Sequence, residues 1–314
     1  MIPSMPRGTP RIVSLLPAAT EIVAALGLAS SLVGRSHECD HPPEVAPVPV
    51  LTRARVGAFP ASAAIDADLQ SLLSRALSIY TVDLEALRAA RPDVVITQDL
   101  CAVCAVTTSD VQAALGSIGL PDCEVVSLAP RRLSEILGDI RRVGARLHAQ
   151  KAAATLLEVF EARMQRVRGR TLQLERKRLL TLEWLAPPMV GGLWMADLAD
   201  LAGADAIATS AGEPGRSLRA EELASLVPEV IVVKPCGFEI SRTLAEAASL
   251  RALLAAIGGD ALTRDAVYIA DGNAFFNRPG PRIVDSLEIL GCCVHPEAFP
   301  DLAERRKHGF VRFR

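Results

Sequence analysis

A chain of 314 residues that is 50% hydrophobic carries enough apolar mass for one large core or two medium ones, which excludes global disorder. Its 34 Lys and Arg against 36 Asp and Glu leave a net charge of -2 with no long run of one sign, which argues against a nucleic-acid partner. Aromatics are only 4% of the chain (eight Phe, two Trp, two Tyr), so a place where several gather points to a flat ligand.

The chain opens with Pro3, Pro6 and Pro10 ahead of one short apolar run, Ile12 to Leu16, which lacks the length and flanks of a secretory signal. As it stands the chain is expected to be cytoplasmic, or periplasmic or extracellular if the true start lies upstream. No stretch approaches about 18 uninterrupted apolar residues, so no membrane span is expected. Arg11–Leu15 reads as a buried strand and Thr20–Leu26 as a helix closed by Gly27. Leucines at helical spacing from Leu84 stop at Pro92, and the β-branched run Val94 to Thr97 follows as a second strand. A helix from Val111 to Gly119 and a strand from Glu124 to Ser127 complete this half. Residues 131–173 are almost free of turn signals. Leu133, Ile136, Leu137, Ile140, Val143 and Leu147 lie on one helical face, and Leu156, Leu157, Phe160, Met164 and Val167 continue the stripe. One unbroken helix of roughly 55 Å is expected, with a kink at Gly144 or His148 as the alternative.

The second half repeats the first. Arg178–Leu182, Gly191-Gly192 and the helix Trp194–Leu201 ended by Gly203 parallel the opening strand and helix. The helix, proline and strand around Leu87, Pro92 and Val94 match those around Leu223, Pro228 and Val230. Leu250–Gly258 followed by Ala266–Ala270 matches the helix and strand that end the first half. Two α/β lobes of duplicated, Rossmann-like topology joined by a single long helix follow from this pattern.

The segments RIVSLLPAATEIVAALG, VGRSHECDHPPEV, LRAARPDVVITQ and NRPGPRIVDSLEILGCCVHPE resemble the substrate-binding proteins of ABC importers, of the helical-backbone class and its cobalamin-binding branch. The likeness runs from Arg11 to Glu297. It implies the class III periplasmic-binding-protein fold, with an N-terminal α/β lobe at 10–130, a bridging helix at 131–173, a C-terminal α/β lobe at 174–298 and a tail at 299–314. It further implies a non-enzymatic protein holding cobalamin, a related corrinoid or another small-molecule metal chelate in the cleft between the lobes, with an ABC permease as partner if the protein is exported.

In open parallel sheets ligands gather beyond the carboxyl ends of the strands. The candidate ligand contacts there are His37, Glu38, Tyr80 and Asp99 in the first lobe, and Trp184, Trp194, Phe275, Phe276, Asn277 and Arg278 in the second. Four of these are rings on loops of one lobe, suited to a tetrapyrrole-like plane, though Trp194 and Phe276 also fit a core role. His37 and Cys39, with Cys101 and Cys104, have the donor types for a divalent metal such as zinc. Seven Cys, at 39, 101, 104, 123, 236, 292 and 293, argue for free thiols or ligands over a disulfide framework. A cytosolic metal-binding or thiol-redox protein is therefore the alternative. GxGxxG, GxxxxGK[ST], GxSxG and HExxH motifs are missing, and only a Glu183 and Asp271 pair offers acid–base chemistry. No catalysis is expected.

Overall fold

The run Ile12–Ser14 is apolar enough to be buried on both faces, and in the computed structural model it becomes a central strand, β1. The structure describes residues 9–54, 62–63, 65, 80–98, 108–261 and 263–314. The chain divides into two units. Met1–Phe59, Ala64–Pro130 and Ile136–Leu157 form the first, and Pro60–Ala63, Arg131–Glu135 and Glu158–Arg314 the second.

In the first unit, helix α1 (Pro17–Ala25) begins on a proline, which has no N–H to leave unpaired, and its exit passes through Gly27 at φ 79°. Strands β2 (Leu32–Arg35), β3 (Thr52–Ala54) and β4 (Tyr80–Val82) follow. Helix α2 (Leu84–Ala90) is capped by Asp83, whose carboxylate accepts the Ala86 N–H at 3.0 Å. Strand β5 (Val94–Gln98), helix α3 (Thr108–Ser117) and strand β6 (Glu124–Leu128) complete the series. The sheet is parallel throughout in the order β2-β1-β5-β6, and β3 and β4 form a separate antiparallel pair. Val13, Leu15, Leu51, Leu87, Val95, Val111 and Leu115 close its core.

The expected single helix over 131–173 is two, α4 (Leu133–Arg146) and α5 (Gln150–Thr171). The corner is a Schellman motif. Ala149 N–H donates to Gly144 O at 2.7 Å and His148 N–H to Ala145 O at 3.4 Å, while His148 takes φ 56°. Gly144 permits the tight turn, because a Cβ there would stand 2.6 Å from the Cβ of Ala153.

The second unit holds β7 (Lys177–Leu185), β8 (Pro188–Val190), α6 (Met195–Leu201), β9 (Ala204–Ala206), α7 (Ala220–Leu223), β10 (Val230–Val233), α8 (Ile240–Ala245), α9 (Ala247–Ala256) and β11 (Val267–Ala270). Helices α10 (Ile283–Val294) and α11 (Pro300–Arg305) and strand β12 (Phe310–Arg312) end the chain. The parallel strands run β9-β7-β10-β11, the same order as β2-β1-β5-β6, so the repeat read from sequence is a repeat of topology. Residues 299–314, expected as a tail, instead form α11 and β12, and β12 pairs antiparallel with β11.

The second unit also holds a cluster of four charges. Arg163 of α5 and Arg306 both contact Asp285 (2.5 and 2.6 Å) and Glu288 (2.7 and 2.6 Å) of α10. Glu288 is 3% exposed. Burial alone would raise its pKa, but the hydrogen bonds from Arg163 and Arg306 win, and the carboxyl titrates below its ordinary value.

Candidate functional site

In the first unit the loop after β2 is fastened by Arg35, whose guanidinium donates to Val48 O, Ala46 O, Cys39 O and Ser36 O. That fixes where His37, Glu38 and Cys39 lie. The Thr52 hydroxyl donates to Ser36 Oγ at 3.0 Å and receives the His37 backbone N–H at 3.0 Å. His37 Nδ1 stands 2.7 Å from the same oxygen. Burial lowers the His37 pKa and Glu38 offsets part of the drop. Glu38 is exposed, and its backbone N–H donates to Ser36 Oγ at 3.3 Å.

Cys39 is fully buried, its Sγ 2.9 Å from the Thr20 hydroxyl, which in turn donates to Ser14 Oγ at 2.8 Å. The thiol thus belongs to a hydroxyl cluster inside the lobe. Asp99, Cys101 and Cys104 lie outside the described residues. Tyr80 is placed in β4, paired with Ala54. Among the described residues no three His, Cys, Asp or Glu side chains converge as a metal site.

In the second unit the four rings part company. Trp194 is 6% exposed and Phe276 only 1%, and the indole N–H of Trp194 donates to Phe276 O at 2.8 Å. Phe276 sits at φ 65°, held there as Ser286 Oγ accepts its N–H at 2.9 Å. These two rings are core residues that lock the loop after β11, which corrects their reading as ligand contacts. Arg278 is 8% exposed and donates to Asn273 Oδ1 at 3.0 Å. Phe275 is half-buried beneath the Arg282 guanidinium, 5.6 Å from the ring centre. Trp184, near the end of β7, is half-exposed and meets Phe238 edge-on at 5.2 Å between centroids. The other side of Phe238 is covered by Arg242 at 3.8 Å.

Beside Trp184 stands a polar group of Lys234, Glu183 and Asn277. Lys234, directly after β10, is fully buried, and its Nζ donates to Glu183 Oε2 at 3.0 Å and to Asn277 Oδ1 at 2.9 Å. Asn277 Nδ2 donates to Lys234 O at 3.2 Å and Gly272 O at 2.9 Å, tying the loops after β10 and β11 together. Asp271 spends Oδ1 on the N–H groups of Asn273 and Ala274 (2.9 and 2.7 Å), which makes it a turn former. Gly192 serves close packing, since a Cβ there would lie 2.0 Å from Gly215 N.

The site is therefore a half-exposed indole, backed by an aromatic–guanidinium stack, next to an anchored carboxylate. Among the described residues no helix is long and apolar enough to cross a membrane. No curated protein matches the chain. Solved structures do. The chain is similar to a periplasmic vitamin B12 binding protein of Vibrio cholerae, with 22% identity over 92% of this chain and 97% of that one and a TM-score of 0.63. It is similar to a periplasmic heme binding protein from Pseudomonas aeruginosa (22% identity, 91% and 92% covered, TM-score 0.66). It is also similar to a Helicobacter pylori protein solved as a nickel–histidine complex (16% identity, 95% and 86% covered, TM-score 0.62). The sequence profile of the periplasmic binding protein family matches residues 12–253, most of the chain, and the protein belongs to that family.

Proposed function

We propose that the protein is a non-enzymatic binding protein for a flat metal chelate, foremost a corrinoid, which it delivers to an ABC permease. Proteins of this family bind small ligands and work with ABC permeases. The observation that carries the chelate assignment is Trp184, half-exposed at the strand ends with its ring fixed by Phe238, which offers a macrocycle an apolar plane already ordered before binding. The similarity to proteins named for vitamin B12 and heme binding supports the same ligand class.

The test is a visible-band titration of purified protein with aquocobalamin, dicyanocobinamide and haem, read together with tryptophan fluorescence. At least one of the three is expected to shift its absorption and quench the indole emission at stoichiometric protein. Unchanged spectra with all three would falsify the assignment.

A further inference from the structure

Lys234 has no exposed surface, and its ammonium sits at the carboxyl end of a central strand. A buried ammonium costs several kcal/mol unless paired and hydrogen-bonded. Its stem is hemmed in, since a Cβ on Gly191 would come within 3.2 Å of Lys234 Cε. The charge therefore depends on the acceptors that face it, Glu183 Oε2 at 3.0 Å and Asn277 Oδ1 at 2.9 Å. Glu183 cannot swing away without stranding that charge, so its carboxylate is held in one orientation.

What this cluster presents outward is an acceptor. Both N–H groups of the Asn277 amide are committed to backbone carbonyls, and the ammonium is enclosed. The Glu183 side chain is 30% exposed, and its Oε1 makes no hydrogen bond among the described residues. It adjoins Trp184 in the chain.

We propose that Glu183, positioned by Lys234, is the specificity-determining residue of this site and selects macrocycles with hydrogen-bond donors, such as primary amides, on the rim over those with carboxylates. The proposal rests on chelate binding at Trp184. A rim amide donates to the fixed carboxylate in a charge-assisted bond. A rim carboxylate meets a like charge that cannot retreat, and specificity of this kind is built as much on the repulsive contact as on the attractive one.

Two corrinoids isolate the rim from the ring: dicyanocobinamide, with amide side chains, and dicyanocobyrinic acid, with the same ring and free acids. Wild-type protein is expected to prefer the amide form by roughly tenfold or more, the range of one charge-assisted hydrogen bond. In Glu183→Gln the preference should narrow to about threefold or less, mainly through tighter binding of the acid, since loss of one like-charge contact is of that order. Gln keeps an oxygen for Lys234 but not the charge, so the urea midpoint of the variant is expected to fall, while a cooperative melt and an unchanged circular dichroism spectrum without urea will show that the fold is retained. Added salt should erode the wild-type preference and leave that of Glu183→Gln unchanged, which a purely structural role for Glu183 would not produce. Equal affinity of wild type for both corrinoids, or a full preference in Glu183→Gln, overturns the proposal while leaving chelate binding intact. If neither corrinoid nor haem binds at all, chelate binding itself fails and this assignment falls with it.

Discussion

Replacing Glu288 with Gln keeps the size of the side chain and removes its charge. Arg163 and Arg306, 21% and 20% exposed, would then share Asp285 alone. Removing one partner of a buried ion pair costs about 3–5 kcal/mol. Asp285 still contacts both guanidiniums and water reaches them in part, so the expected loss lies at the lower end, about 3 kcal/mol. Both tryptophans of the chain, Trp184 and Trp194, fall in the second unit, and urea unfolding followed by tryptophan fluorescence therefore reports that unit alone. The pH dependence carries its own sign. The folded pKa of Glu288 lies below the unfolded one, so its contribution is present above the unfolded value of about 4.3 and is lost as pH falls through the folded value. The gap between wild type and Glu288→Gln should thus be full at pH 7 and shrink below about pH 4. A loss under about 1 kcal/mol at pH 7, the range of a surface pair, or a gap that persists unchanged at pH 3 would refute the claim that these charges act as a buried set.

Three further outcomes follow from burial and backbone geometry. Phe276→Ala should cost about 3–5 kcal/mol of second-unit stability in the same fluorescence melt, whereas Trp184→Ala, measured by circular dichroism, should cost under about 2 and yet weaken macrocycle binding at least tenfold. His148→Gly should raise stability by about 1 kcal/mol in urea melts followed by circular dichroism, because glycine takes φ 56° without the Cβ penalty of histidine.

Strands β1, β5, β6, β7, β10 and β11 are legible as mostly apolar or β-branched runs, and the duplicated helix, proline and strand carry the topology, whereas the short strands β2, β3, β4, β8, β9 and β12 have no such run to mark them. The break between α4 and α5 was harder to read. The apolar stripe from Leu133 to Val167 stays in phase across it, and the residue at the αL corner is a histidine where a glycine would have marked the stop. Phe275 and Phe276 lie on a loop as expected, but Trp184 lies inside β7 and Trp194 at the cap of α6, and the burial of Trp194 and Phe276 was not legible. Trp194 is fixed by a carbonyl 82 residues away, a relation that no local pattern encodes. Lys234 is the extreme case. A lysine after a strand reads as solvated, and only its partners, 51 and 43 residues distant, turn it into the centre of the site.

Strand β12 gives the two units different histories during synthesis. The first sheet has all its strands once Leu128 has been added, so that half can fold while the rest of the chain is still being made. The second sheet waits for Phe310–Arg312, which follow its other strands in the chain and cover the free side of β11. A polypeptide stalled or trimmed a few residues short would carry a finished first half joined to a second whose Val267–Ala270 strand bares unpaired N–H and C=O groups, the kind of surface that recruits other chains.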